Sequence, residues 1–244
     1  MVRKRGIRLH YWCVAVPKSD KQAVECEDEF GVNLNRFAIS DGSTESVGSK
    51  AWAKLLVGSY IAGRDPFSTE TIESNIKAWN ERMASYVHSS SDWFFKEKVK
   101  KGSSATFLGL TIRPSLGWAA TAIGDSCLFQ FRSTKMILSW PLTHLGQFDK
   151  TPPLFKTNKP PNKQIVREGD FKNEDRFLLA TDALAKWMLG AYLGGYVSDI
   201  LTLFINANSP ARMQDAVLRL RSGNHPIPLE DDDATVITIR IEMI

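Results

Sequence analysis

The sequence predicts an α+β fold with helices packed on the faces of antiparallel sheets. Three observations carry this. Short apolar runs follow one another at the centre of the chain with no room for helices between them, which implies antiparallel pairing. Segments with helical apolar spacing cluster before and after that block. The chain closes on a run that alternates apolar and polar residues, as a strand with one covered face would.

In order, Ile7 to Val16 reads as a strand rich in aromatic and β-branched residues, and Phe37 to Ser40 as a short buried strand ending at Asp41. Ser43 to Tyr60 reads as a helix, with Trp52, Leu55, Leu56 and Tyr60 spaced for one face. Thr69 to Val87 is a clearer helix, because Ile72, Ile76, Trp79, Met83 and Tyr86 form one apolar stripe. The central strands are Thr106 to Ile112, Trp118 to Ile123, Cys127 to Phe131 and Lys135 to Ser139, with Gly124-Asp125-Ser126 a tight turn. A Pro- and Lys-rich loop follows, and then a strand from Arg176 to Ala180. Leu184 to Asn206 is apolar and helical in part, with Gly190, Gly194 and Gly195 expected to break it. Ser209-Pro210 starts a further helix that puts Met213, Val217 and Leu220 on one face. The final strand, Thr235 to Ile241, sets Ile237, Ile239 and Ile241 against Thr238 and Arg240 and is expected to be half-buried.

The 244 residues, 43% hydrophobic, suffice for one sizeable core, and no linker flanked by composition shifts divides them, so residues 1–244 read as one domain. A net charge of +4, without a basic stripe interleaved with aromatics, does not favour nucleic acid. The basic residues are scattered apart from Arg3-Lys4-Arg5 and the stretch from Lys96 to Lys101. Three cysteines without CxxC spacing argue against a disulfide scaffold or zinc knuckle and suit a reducing cytosol. The most apolar late stretch, Trp187 to Val197, is too short for a membrane span, and no signal peptide is evident, so a cytoplasmic protein with no membrane contact is expected. The four histidines have no metal-ligand spacing.

The chemistry lies in acids at strand ends. Asp41-Gly42 ends the apolar run of RFAISDGSTES, Asp182 ends that of RFLLATDALAKW, and Asp125 follows that of WAATAIGDSCLFQF. In LEDDDATVITI the acids Asp231 to Asp233 come first and the strand after. Carboxylates aimed into one cleft repel each other unless a cation lies between them, so the pattern reads first as a divalent-metal site. The plainer readings are helix caps for Asp41 and Asp182, turn chemistry for Asp125, and a solvated acid run before the last strand.

Taken in order, Asp-Gly after a short strand, GSSAT before a strand, GDS in a hairpin, strand-TDAL and a final DDAT-strand resemble the metal-dependent serine/threonine protein phosphatases of type 2C, over about Glu27 to Ile241. The resemblance implies a four-layer α-β-β-α sandwich of two antiparallel sheets flanked by helices. It implies two Mn²⁺ or Mg²⁺ ions, with Asp41 bridging both, the Gly42 carbonyl beside it, Asp182 and Asp232 on the other ion, and Asp125 helping to hold a third. CEDEF resembles the family's acid pair, so that Glu27 would act through metal-bound water and Asp28 would support the site. Thr106 of GSSAT is expected to be a structural hydroxyl near it. The implied activity is hydrolysis of phosphoserine and phosphothreonine by a hydroxide bridging the two ions, with no enzyme nucleophile. The implied setting is a monomer facing a phosphorylated protein, with a cognate serine/threonine kinase.

The chain departs from the family pattern in four places. DGSTES replaces a Gly-rich DGxGG turn, and Ser43 stands where some members carry a His that protonates the leaving group. Asp182-Ala183 replaces Asp-Gly. Ala23 lies near the place of a phosphate-binding Arg, for which Lys18 or Lys21 would substitute as a point charge. Lys150 to Glu174, where many members have a mobile flap, is Pro- and Lys-rich, so substrate choice would differ. These departures motivate an alternative, a catalytically weak or inactive pseudophosphatase that binds phosphoproteins. A third reading, a basic nucleic-acid or scaffold protein whose acids are caps and turns, rests on the net positive charge alone.

Overall fold

The computed structural model describes residues 6–89, 93–114, 117–148, 151–161 and 164–244. The Arg3-Lys4-Arg5 cluster, and Lys150 and Lys163 at the ends of the Pro- and Lys-rich loop, lie outside these residues. The chain runs β1 (Ile7–Val16), β2 (Glu29–Asn33), β3 (Arg36–Ser40), α1 (Ser49–Ile61), α2 (Thr69–Ser89), α3 (Trp93–Lys101), β4 (Ser104–Ala105), β5 (Phe107–Arg113), β6 (Gly117–Ile123), β7 (Cys127–Arg132) and β8 (Lys135–Trp140). It continues through β9 (Phe155–Lys156), β10 (Ile165–Gly169), β11 (Arg176–Ala180), α4 (Asp182–Leu193), α5 (Val197–Ile200), α6 (Pro210–Arg221) and β12 (Ala234–Met243). No helix among the described residues is long and apolar enough to cross a membrane.

The strands form two five-stranded antiparallel sheets, one ordered β1-β12-β11-β7-β8 and the other β10-β6-β5-β3-β2, with β4 and β9 pairing separately. Phe37, Ile39, Leu108, Leu110, Phe177, Leu179, Ile237 and Ile239 fill the space between the sheets. On the outer face of the second sheet, Trp52 and Leu56 of α1 and Trp79 and Met83 of α2 pack with Phe107. On the outer face of the first, Leu184, Trp187 and Met188 of α4 and Met213 and Val217 of α6 pack with Phe129, Leu178 and Val236. The result is the expected four-layer α-β-β-α sandwich.

Several elements differ from their sequence reading for identifiable reasons. β12 is covered on both faces, because Ile237, Ile239 and Ile241 face the other sheet while Val236 packs beneath the helices and Thr238 is buried. The helix expected from Ser43 begins only at Ser49. Residues 41–48 instead fold along β4, where Ser43 N–H donates to Ser104 O (3.0 Å), and Gly48 takes a φ of 68° before the first turn. Gly190 remains inside α4, and the break falls at Gly194-Gly195, where Gly195 has a φ of 85°. β2, α3, β9 and β10 were not read from the sequence, since they are short or largely exposed and carry little periodic apolar signal. The N-cap of α6 is as read: the Ser209 hydroxyl accepts from Arg212 N–H and Pro210 follows.

At the end of β7 farthest from Asp125, the fully buried Asp175 carboxylate is clamped by Arg132 through Nε (2.8 Å) and Nη2 (2.7 Å), by Gln130 Nε2 (2.9 Å) and by Lys172 N–H (2.9 Å). Removing one partner of such a pair leaves a buried charge uncompensated. Arg132→Met is therefore expected to destabilise the protein by about 3 kcal/mol in urea unfolding. Adding Asp175→Leu should recover part of that loss.

Candidate metal and phosphate site

Register places the acids. β11 pairs Ala180 with both Val236 and Cys127, and β5 pairs Phe107 with Ile123 and Leu108 with Ile39. The residues just beyond these pairs, Asp182, Asp232, Asp125 and Asp41, therefore share one end of the sandwich. There they line a single cavity of about 410 Å³, together with Gly42, Ser43, Thr106 and Lys156.

Each acid is fixed by its backbone. Asp41 N–H donates to Thr106 Oγ1 (3.1 Å), and Thr106 N–H donates back to Asp41 O (2.8 Å). The same hydroxyl meets Ser126 Oγ (3.0 Å) beside Asp125, so Thr106 links two acid-bearing turns and has the structural role expected of it. Gly42 bridges to Ala105, and a Cβ at this position would lie 2.9 Å from Glu27 O and from Ser49, so no side chain fits there. Asp182 opens α4 and accepts from Ala183 N–H (2.6 Å). Ala183 is an ordinary helical residue, so Asp-Ala serves in place of Asp-Gly without a positive φ.

Among the three adjacent acids the roles separate. The Asp233 carboxylate is buried and takes Lys18 N–H (2.9 Å) and Glu27 N–H (2.6 Å), which ties the N-terminal segment to the start of β12. Asp231 takes Ser19 N–H (3.0 Å) and Oγ (2.9 Å). Asp232 stays exposed and lines the cavity, while Arg221 of α6 donates to its carbonyl and to Pro17 O (2.6 Å). Arg221 leaves no signal in the sequence because its partners, the backbone carbonyls of Val16, Pro17 and Asp232 and the Asp231 carboxylate (3.6 Å), all lie outside its helix.

Glu27 and Asp28 stand in contrasting surroundings. Glu27 accepts from Ser49 Oγ (2.6 Å), Lys21 Nζ (2.9 Å) and Thr44 Oγ1 (3.0 Å). Burial pushes its carboxyl up, but these three donors outweigh burial and hold it below the usual glutamate value. Lys21 is thus already paired, Lys18 contributes its backbone N–H to Asp233, and Ala23 is exposed in a single helical turn. Asp28 is only 3% exposed; its Oδ2 accepts from Thr181 Oγ1 (2.9 Å), and its Oδ1 has no hydrogen-bond partner. Burial first, and then the Asp182 charge, push the Asp28 carboxyl up to about 8 against the pull of neighbouring hydroxyls.

Asp41 and Asp182 are half-buried and open to the cavity, yet crowded by protein and by each other. Burial, followed by the charges of Asp28, Asp182, Asp125 and Asp232, raises Asp41 well above the ordinary aspartate value. Burial and the Asp125 charge raise Asp182 to about 7. Among the described residues no group of three or more His, Cys, Asp or Glu is already arranged to hold an ion. What marks the site is the concentration of negative charge. Its donors are all hard oxygens, carboxylates plus the Gly42 carbonyl, and with the orphaned Asp28 oxygen behind them they suit Mg²⁺ or Mn²⁺. Lys156, the cation lining this cavity, was not singled out in the sequence, where it is one of several lysines in a Pro-rich stretch.

The four-layer sandwich is the fold shared with solved serine/threonine phosphatases. The chain superposes on the catalytic domain of the serine/threonine protein phosphatase PstP in complex with two manganese ions with a TM-score of 0.61, at 15% identity over 97% of this chain and 100% of that one. Mycobacterium tuberculosis PstP/Ppp gives 0.61 at 15% identity over 96% and 99% of the two chains. The photosystem II phosphatase PBCP gives 0.61 at 14% over 96% and 98%. At these identities the likeness is one of fold. No family model matches the chain, and no curated protein does either.

Raised carboxyl pKa values make folding pH-dependent. An unfolded aspartate ionises near pH 4, whereas Asp28 and Asp182 hold their protons to about 8 and about 7 when folded. Between those values the folded state binds more protons than the unfolded state, so stability falls as pH rises from about 4 to about 8. The metal-free protein should melt at a lower temperature at pH 8 than at pH 5 in differential scanning calorimetry. Asp182→Asn should raise the pH 8 melting temperature by about 3 °C, because Asp182 is raised only to about 7 and is a repelling charge at pH 8.

Proposed function

We propose that this chain is a metal-dependent phosphatase acting on phosphoserine and phosphothreonine in proteins. The observation that carries the proposal is the convergence of Asp41, Gly42, Asp125, Asp182 and Asp232 on one cleft of a type 2C fold. Asp41, the Gly42 carbonyl, Asp182 and Asp232 would hold two Mn²⁺ or Mg²⁺ ions, with Asp125 contributing to a third. When bound, the ions supply Lewis-acid polarisation of the phosphoryl group and activation of water.

The chain's own residues orient this site. Thr106 holds the Asp41 backbone, and α4 presents Asp182 from its first turn, where the helix dipole favours the charged carboxylate. Thr181 locks the end of β11 to β12 by accepting from Thr235 N–H (2.9 Å) while donating to Asp28. Glu27 is steered by Ser49, Thr44 and Lys21 at the flank of the cleft. Burial pushes the thiols of Cys13, Cys26 and Cys127 up to about 12, so none supplies a thiolate nucleophile at neutral pH. The substrate is a phosphoprotein made by a serine/threonine kinase, met by a cytoplasmic monomer.

One observation favours the second reading, a phosphoprotein-binding pseudophosphatase. No arginine stands at the Ala23 turn, and Lys21 is engaged by Glu27. Phosphate release from a phosphothreonine peptide at millimolar Mn²⁺ separates the two. The phosphatase reading expects release that a chelator abolishes and that Asp41→Asn lowers on the order of 100-fold or more. Peptide binding without release would favour the pseudophosphatase, and neither binding nor release would refute both.

A further inference from the structure

We infer that Lys156 is the positioning residue for the substrate phosphate, and that the Pro-walled groove beyond it seats an apolar side chain flanking the phosphorylated residue. The inference deepens the proposed phosphatase reading by naming its phosphate cation and its substrate class, and its binding component holds with or without turnover.

Backbone pairing places Lys156 at the acids. β9 pairs with β4 in the register Ser104↔Lys156 and Ala105↔Phe155. On its other side β4 bridges Gly42 through Ala105 and accepts Ser43 N–H at Ser104 O (3.0 Å). Two strand spacings therefore separate the Asp41 loop from β9, about 10 Å in all. The Lys156 side chain lines the same cavity as Asp41, Asp125, Asp182 and Asp232.

The lysine is held by anchored neighbours. Phe155 is fully buried, stacks on Phe67 with ring centroids 5.1 Å apart, and accepts Trp52 Nε1–H at its carbonyl (2.8 Å). Thr157 is buried too, donating N–H to Ser103 O (2.9 Å) and accepting Ser103 N–H at Oγ1 (2.9 Å). Strand alternation between these two leaves Lys156 facing solvent on a fixed backbone, which limits the ordering cost of using it. Among the described residues no carboxylate pairs with it, whereas Lys21 is paired with Glu27 and Lys186 with Glu230. A free ammonium at the rim of an acid cluster offers a phosphate dianion the attraction that the acids deny it.

The acid cavity shares Pro152, Leu154 and Lys156 with a second cavity of about 450 Å³, whose remaining walls are apolar, including Ile123, Pro160 and Ile165, apart from Lys159. A peptide whose phosphate meets Lys156 would run its neighbouring residue onto this apolar wall. A phosphopeptide with a large apolar flanking residue is thus the chemical class that fits.

The test is fluorescence anisotropy with a non-hydrolysable phosphonate analogue of a phosphothreonine peptide, its unphosphorylated twin and a glycine-flanked version, run beside steady-state kinetics on the hydrolysable peptide. Lys156→Ala is expected to weaken phosphonopeptide binding, and to raise KM, by about tenfold or more while kcat stays within about threefold. The unphosphorylated twin should be unaffected, Lys156→Arg should restore binding, and the glycine-flanked peptide should bind more weakly to the unmutated protein. Equal phosphonopeptide affinity for Lys156→Ala and the unmutated protein would overturn the inference. So would equal weakening of phosphorylated and unphosphorylated peptides, no phosphonopeptide binding to the unmutated protein, or no preference for the apolar flank. Metal-dependent phosphate release with an unchanged KM in Lys156→Ala would defeat this inference and leave the phosphatase reading intact. Lys156-dependent binding without any release would do the reverse.

Discussion

Burial is the largest cost of ionising Asp28, Asp41 and Asp182 at one end of the sandwich, and the repulsion of neighbouring carboxylates adds to it. That repulsion is the constraint around which the rest of the structure is arranged. Strand register sets it up, because β3, β11, β12 and the β6–β7 turn all bring their acids to the same end. A chain under no functional demand would relieve such a cost by neutral substitution or by pairing each acid with a base. Here the hydroxyls of Thr106 and Thr181 and the close packing at Gly42 instead hold the acids where they repel.

The opposite end of the same sheet shows the contrast. Asp175 is as buried as any acid in the molecule, yet it receives a bidentate guanidinium, an amide and a backbone N–H. Asp28 is nearly as buried and keeps one oxygen without a donor. One residue type is compensated where it only holds the fold and left uncompensated where the cleft opens. Under the proposed reading a divalent cation would supply that compensation, since the donors are hard oxygens. Lys156 lines the same cavity and, in the role inferred for it, would favour a phosphate without neutralising the acids.

The α+β class and most of the acids are legible in the sequence because each relies on local pattern, while the four layers follow from the family resemblance. β11 was read with its observed bounds, since Arg176 to Ala180 is a short apolar run closed by a capped helix. Asp41, Asp125 and Asp182 are legible because an acid at the end of an apolar strand is a local signal, whereas Asp232 is singled out from Asp231 and Asp233 only by the family resemblance. What escaped depends on contacts between distant segments. Covering of both faces of β12 needs the other sheet and the helices together, and alternation alone cannot report it. The late start of α1 at Ser49 follows from residues 41–48 binding β4, a segment about sixty residues further along. Lys156 and Arg221 gain their places through a two-residue strand and through backbone carbonyls, which leave no spacing to recognise.

Isothermal titration calorimetry with Mn²⁺ near neutral pH distinguishes a divalent-cation site at these carboxylates from an acid cluster without one. Because Asp41 and Asp182 hold protons unusually tightly, cation binding must displace them, so the measured heat should vary with the ionisation enthalpy of the buffer. Saturable binding of at least two ions is expected, with proton release that falls in Asp41→Asn. Absence of Mn²⁺ binding at millimolar concentration, or binding with no proton release and no change in Asp41→Asn, would contradict it.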